Sequence, residues 1–510
     1  MPRVALPLST DFFSADGRRW PVVAELRNFL HSTLHNTTAS QGRPPSHAQA
    51  LKVTACWSHV PDSSSSPPSM RSFFRTLFHK RAHFHPPAGS TPYYRVMSTT
   101  STAALLYAAT VATPSVASSR PEDEITKSKA WHTRKGRFNN PWPSWELMSF
   151  WTVITGMIAR RWTGEANHPD TTPPTVPVHT PTFLPSREAR PGLRATWLGH
   201  ACYYVEFPSG VRILFDPVFT DRCSPFSFFG PKRYTEMPCA ISDIPIIDAV
   251  VISHNHYDHL SHPTVTEIAK RHPACHFFVP LGNKRWFASW GIDNCTELDW
   301  WDEVDLTLTP SPPVSDKDRD HQPTERSSLM SAIDTSDTSR STITSRISCL
   351  PCQHMSARSL TDVRATLWSS WEVSSGGKSV YFAGDTGYRA VPKSSEGKDD
   401  WGEEYASLPH CPAFADIGKL RGPFDLGLIP IGAYRPRWIM SSMHANPRDA
   451  VEIFRDTKCK KALGMHWGTW VLTEEDVLEP PKLLKKALKH HGIEETGVFD
   501  VCDIGDSREY

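Results

Sequence analysis

In the stretch VVISHNHYDHL, residues 250–260, the side chains of His254, His256, Asp258 and His259 fall within six positions, directly after a run of apolar residues. A strand that delivers the chain into a tight loop lets alternate side chains converge, and imidazole and carboxylate groups bind divalent cations at ~2.0–2.2 Å. Four such groups can seat two neighbouring ions but cannot complete both coordination shells. The remaining ligands must come from other strand ends, and three residues stand in that position: His354 in CQHMSAR, Asp385 in FAGDTGY and His466 in GMHWGT. With 24 histidines in the chain, any single one reads best as a surface or core residue. The cluster together with its strand-end partners is what points to metal chemistry, since a histidine-rich surface loop needs neither the aspartate nor the strand frame.

The elements that must position these residues follow from local pattern. RATWLGHACYYVEF and VRILFDPVF are strand-like runs separated by PSG, a hairpin signature. IIDAVVIS and HFFVP read as strands flanking the short helix PTVTEIAKRH, which has proline at its start. Downstream, DLGLIPIGA and KKALGMHWG are strands around the helix NPRDAVEIFRD, capped by Asn446 with Pro447 at its first position. A helix with one apolar face, PKLLKKALKHHG, follows. Strands alternating with helices predict an α/β layered domain.

Composition bounds the function. The chain has 510 residues, and 55 Lys+Arg against 54 Asp+Glu leave a net charge of +1, so no global field favours nucleic acid as a partner. The 11 cysteines are scattered, which predicts reduced thiols and an intracellular protein, with Cys349 and Cys352 of the lone CxxC as buried thiols. The longest apolar stretch, AALLYAATVA at 103–112, is too short to span a bilayer, which leaves peripheral membrane attachment open. Residues 1–125 read as a largely disordered N-terminal arm rich in Ser, Pro and Thr. Within it MRSFFRTLFHKRAHFH, from Met70, interleaves basic and apolar residues as a mitochondrial transit peptide does, so translation starting near Met70 would predict a mitochondrial protein. Residues 126–190 form a Trp-rich apron and a Pro/Thr linker, and 191–510 the main domain, with polar insertions near 311–348 and 391–410.

HxHxDH, GDTGY and the late histidine resemble the metallo-β-lactamase superfamily. The segments RFNNPWPSW, TWLGHA, ELDWW, QHMSARSL, GPFDLGLIPIGAYRPRW and HWGTWVLTEEDVLEPP resemble, more specifically, the N-acyl-phosphatidylethanolamine-hydrolysing phospholipase D family, over about residues 130–510 outside the insertions. The resemblance implies a four-layer αββα sandwich and two zinc ions, one held by His254, His256 and His354, the other by Asp258, His259 and His466, with Asp385 between them. It further implies Asp258, Asp385 and His444 as catalytic residues, Tyr257 and His444 as substrate contacts, and Asp216 as support for a ligand. The implied reaction is hydrolysis of N-acyl-phosphatidylethanolamine to N-acylethanolamine and phosphatidic acid, by attack of a hydroxide shared between the metals. The partner is then a membrane phospholipid met by peripheral association, and a homodimer is compatible with it. The 18 tryptophans suit such an interface, although those inside strands read as core. Two positions depart from the family pattern: Met443 stands where relatives carry Gln, and Arg435 where they carry an acidic residue. Two other readings are an esterase or lactonase that directs the same hydroxide at a carbonyl, and a non-catalytic zinc-stabilised scaffold.

Overall fold

The computed structural model describes residues 107–187, 190–310 and 341–510. Its first half contains β1 (Tyr107–Ala112), α1 (Glu124–Lys127), α2 (Phe150–Thr163), β2 (Arg194–Trp197), β3 (Tyr203–Glu206), β4 (Arg212–Phe215), β5 (Ala249–Val251), α3 (His262–Arg271), β6 (His276–Pro280), α4 (Lys284–Ser289), β7 (Cys295–Leu298) and β8 (Glu303–Pro310). The second half continues with β9 (Ile343–Leu350), β10 (Ser370–Ser375), β11 (Lys378–Phe382), α5 (Ala413–Leu420), β12 (Leu426–Pro430), α6 (Arg437–Met440), α7 (Pro447–Asp456), β13 (Ala462–Met465), α8 (Glu479–His490), β14 (Phe499–Asp500) and β15 (Ser507–Glu509). Among the described residues the strands form an eight-stranded sheet, β1-β8-β9-β10-β11-β12-β13-β14, and a seven-stranded sheet, β15-β2-β3-β4-β5-β6-β7.

Period-two alternation gives each strand two buried faces. Tyr203, Val205, Ile213, Phe215, Ala249 and Val251 enter the core between the sheets, while Tyr204, Leu214, Val250 and Phe277 enter a second core outside it. Phe215 meets Phe382 of the other sheet with ring centroids 4.8 Å apart. Val265 and Ile268 of α3 and Phe287 of α4 close the outer core. On the opposite side, β11 to β14 run parallel, so α5, α7 and α8 cross over on that sheet, where Phe414, Ile417, Ile453, Phe454, Leu484 and Leu488 are buried. Asn446 caps α7 by accepting from the backbone N–H groups of Arg448 and Asp449, as its sequence predicts. The layers are helix, sheet, sheet, helix, the expected α/β sandwich.

Three boundaries differ from the sequence expectation. The arm expected over 1–125 overlaps the folded domain: β1 pairs antiparallel with β8 from Tyr107↔Pro310 to Ala112↔Asp305, and Asp123 caps α1. Residues 1–106, including the segment from Met70, lie outside the described residues. The insertion expected over 311–348 ends earlier, because Ile343–Leu350 is β9 in the middle of the larger sheet; residues 311–340 lie outside the description. The polar stretch 391–410 is folded onto the domain, with Val391, Asp400 and Tyr405 buried, Arg389 stacked 3.7 Å over the Trp401 ring and Asp400 2.6 Å from Arg437. Asp400 is buried in its pairing, while Lys393, Lys398, Asp399, Glu403 and Glu404 stay exposed.

The Trp-rich segment does pack on the domain. Trp142 stacks on Trp300 at 5.4 Å, Trp131 lies 5.1 Å from the same ring, and its indole N–H donates to Asp299. The ten described cysteines, Cys349 and Cys352 among them, are free thiols. Among the described residues no helix is long and apolar enough to cross a membrane.

Candidate metal centre

The pairing directions place the carboxyl ends of β2, β4 and β5 in one sheet, and of β9, β11 and β13 in the other, along a common edge. Each of the seven candidate ligands lies within four positions of such an end or in the loop after β5, whereas His444 lies between β12 and β13. The turn-off is abrupt: His200, Asp216 and His466 have φ of +51°, +37° and +63°. A non-glycine residue there costs on the order of 1–3 kcal/mol, a strain concentrated at functional sites. Gly384, at φ +59°, precedes Asp385; a Cβ at that position would lie 2.6 Å from the Cβ of Ser253. Only glycine lets the two sheets approach closely enough there for Asp385 to reach the β5 loop.

Two groups of ligand atoms result. In the first, Nε2 of His254 and Nε2 of His354 lie 2.8 and 3.3 Å from Nδ1 of His256, and Asp385 Oδ2 is 3.8 and 3.7 Å from the same two Nε2 atoms. In the second, Nε2 of His259 and of His466 are 3.2 Å apart, Asp258 Oδ2 is 3.4 and 3.5 Å from them, and Asp385 reaches them at 3.2 Å through Oδ2 and 3.0 Å through Oδ1. Asp385 thus faces both groups.

Hydrogen bonds on the far side of the rings fix their protons. Asp216 accepts the backbone N–H and the hydroxyl of Ser253, so the Ser253 oxygen is left to accept from His254 Nδ1 at 2.9 Å. His354 Nδ1 donates to the Met443 carbonyl at 2.9 Å, and His259 Nδ1 to Asp216 at 2.7 Å. The inward Nε2 atoms of His254 and His354, which burial keeps neutral, therefore carry lone pairs. In the first group two lone pairs converge on His256 Nδ1, which can supply one hydrogen at most. A cation satisfies that arrangement where a proton cannot, and second-partner orientation of this kind is how imidazole ligands are held.

The electrostatics of the groups differ. Burial pushes the pKa of His254 and His354 well below the imidazole range, keeping them neutral. Burial is the largest single influence on His259 and His466 too and opposes their charge, but there Asp385 and Asp258 together, with Asp216 for His259, outweigh it, and the pKa rises, to about 9 for His466. Burial likewise opposes ionisation of Asp258 and Asp385, yet the neighbouring histidines, His259 foremost, hold both carboxyls well below the usual range.

A family model described as a beta-lactamase superfamily domain matches residues 211–339 and 328–467. The chain is 36% identical over 338 residues, 65% of its length and 80% of the relative's, to N-acyl-phosphatidylethanolamine-hydrolyzing phospholipase D 1 of Caenorhabditis elegans. The chain belongs to the N-acyl-phosphatidylethanolamine-hydrolysing phospholipase D family of the metallo-β-lactamase superfamily. It is 31% identical over 321 residues, 62% of its length and 57% of the relative's, to the yeast protein named N-acyl-phosphatidylethanolamine-hydrolyzing phospholipase D, mitochondrial. An uncharacterized protein of Mycobacterium tuberculosis is 32% identical over 322 residues, 62% of this chain and 69% of its own. The chain is accordingly a hydrolase with side chains that fit metal ions.

The other family positions fall at different distances from the cluster. His444 is at it: its ring is 5.1 Å from His354 and 5.2 Å from His466, and Nδ1, buried without a hydrogen bond, is 3.9 Å from Asp385 Oδ2. Burial lowers its pKa to about 4, Asp385 notwithstanding. Tyr257 is half-buried, with the Arg358 guanidinium 3.8 Å over its ring. Arg435 pairs with Glu479 at 2.8 Å, and Met443 meets the cluster through its carbonyl, on His354.

Sequence reasoning missed two residues. His200 brings Nε2 to 3.0 Å from Asp258 Oδ2, accepts the His466 backbone N–H at 3.0 Å on its carbonyl, and sets its ring centroid 4.1 Å from that of His466 at a tilt of 44°. Its signal was a further strand-end histidine in TWLGHA. Arg358 donates to the carbonyls of Asn255 and Leu260 at 2.9 and 2.8 Å, tying together the loop that carries the motif. A lone arginine in QHMSARSL gave no sign of that, because its partners are backbone atoms about a hundred residues away.

Proposed function

We propose that the chain hydrolyses N-acyl-phosphatidylethanolamine to N-acylethanolamine and phosphatidic acid as a binuclear zinc phosphodiesterase. The observation that carries this reading is the pair of ligand groups facing one shared carboxylate, Asp385, in a chain of that family. His254, His256 and His354 would hold one ion and Asp258, His259 and His466 the other; their nitrogen and oxygen donors suit zinc. Bound there, the ions would supply water of lowered pKa and offset the charge of a phosphodiester.

The protein's own groups do the rest. Asp258, with Oδ2 facing His259 and His466, accepts the proton of the attacking water, and His200 holds that carboxylate in place at the same oxygen. His444, kept neutral by burial, donates a hydrogen bond to a phosphate oxygen or to the departing alcohol. Tyr257 and Arg358 contact the substrate headgroup, the phenol as donor and the guanidinium as the nearby fixed cation.

The test is product analysis. Purified full-length chain loaded with zinc is given vesicles containing N-acyl-phosphatidylethanolamine, beside a panel of lactones. Equal release of phosphatidic acid and N-acylethanolamine is expected. A zinc-loaded chain that opens lactones and leaves the phospholipid intact overturns the proposal.

A further inference from the structure

Large apolar side chains are exposed in two groups. One is the outer face of α2, with Ile154, Met157, Ile158 and Trp162, the last 91% exposed. The other is the loop after Cys223, where Phe228 and Phe229 are 80% and 69% exposed. An amphipathic helix ordinarily turns its apolar stripe to the core. In α2 the inward positions are Val153, Gly156 and Arg160: Gly156 lies so close to Trp438 that a Cβ would come within 2.6 Å of the indole, and Arg160 pairs with Glu474 at 2.7 Å. The apolar stripe is turned outward and takes no part in the core.

Both groups are attached to the rim of the metal centre. The loop that follows His466 joins them: Trp470 and Leu472 pack on Val218 and Cys223, from which the phenylalanine loop departs, and Glu474 holds α2 through Arg160. Trp470 lies 4.9 Å from the His200 ring. On the other side Trp438, under α2, leads within six residues to His444, and Ser442 donates to the carbonyl of Glu146 just before the helix.

Charge accompanies the apolar groups. No acidic residue occurs over 147–164 or 222–235, where Arg161 and Lys232 are exposed, Lys232 within 3.6 Å of Asp221, while Arg160 is taken up by Glu474 and Arg233 is buried. Exposed aromatic and aliphatic side chains rimmed by cations suit the boundary between anionic headgroups and acyl chains. A second copy of the chain would bring like charges together.

We propose that the outer face of α2 and the loop bearing Phe226, Phe228 and Phe229 form one docking surface for an anionic phospholipid bilayer, which presents the rim of the metal centre to the headgroups. The assignment rests on the lipid-hydrolase reading above. Drawing the acyl chains of a diacyl substrate into water is unfavourable at every CH2, so a site that cleaves it must meet the membrane plane.

Full-length chain is floated with vesicles of phosphatidylcholine alone or mixed with phosphatidylserine, and the variants Ile158→Glu with Trp162→Glu, and Phe228→Ser with Phe229→Ser, are compared. Each pair is expected to lose about tenfold or more in binding to the anionic vesicles, with zinc content and turnover in detergent mixed micelles unchanged. Vesicle binding equal to wild type in both pairs overturns the surface. So does a wild-type dimer in light scattering that the α2 pair dissociates with vesicle binding intact, which makes the face a contact between copies. Absence of wild-type turnover in micelles contradicts the hydrolase reading instead, and flotation still decides the surface.

Discussion

The two ligand groups of the metal centre use the same residue types and are secured differently. The group of His254, His256 and His354 is made of imidazoles, two of them kept neutral by burial and set by the Ser253 hydroxyl and the Met443 carbonyl. Its one facing carboxylate is Asp385, borrowed from the common edge. The group of Asp258, His259 and His466 has a carboxylate of its own, a second carboxylate behind it in Asp216, and His200 bracing both Asp258 and the His466 backbone. A neutral three-nitrogen group depends on the shared aspartate for charge balance, while the other group retains much of its own. The shared residue should therefore weigh most on the less anionic side.

The sharpest way to break this comparison is Asp385→Asn. We expect hydrolysis to fall by about 10³-fold or more, as when a positioned electrostatic group is removed from an active site, and metal content to drop to no more than one ion per chain, retained at the Asp258 group. Mass spectrometry of the metal in purified protein checks it; loss confined to the Asp258 group would reverse the ranking. Asp216→Asn removes the carboxylate charge behind His259 and disturbs His254 through Ser253; it should weaken the ion of the Asp258 group most, by about 10- to 100-fold, the range for outer partners of metal ligands, read by chelator competition. His200→Ala should cost about tenfold in the affinity of that same ion and leave the other unchanged, and equal weakening of both would mean that the two groups are not separable. The smallest effect lies outside the site. Burial lowers the pKa of His276 to about 4, so its contribution to stability is complete above the unfolded value of about 6.5 and is lost as pH falls toward 4. His276→Gln should flatten the acid limb of thermal stability slightly, which separates acid unfolding from acid loss of metal.

The seven residues that gather into the two clusters were legible because their types are unusual, four are crowded into one motif, and each later one follows an apolar strand. The two-sheet sandwich came only with the family resemblance, whereas periodicity made the alternating strands and helices legible. β1 was not: Tyr107–Ala112 is short, edge-located and built of small residues, so its alternation carries little hydrophobic contrast, and only its pairing with β8 makes it a strand. His200 and Arg358 act through a carboxylate and through backbone carbonyls that are remote in sequence, which no local pattern encodes. Composition shows charges but not their partners.

The most direct measurement is a zinc titration of metal-free, full-length chain with release of phosphatidic acid followed at each point. Two ions per chain are predicted, with turnover rising as the second binds and absent in Asp385→Asn. Undiminished turnover with both ions stripped, or two tightly held ions with no release of phosphatidic acid, would contradict a binuclear lipid hydrolase.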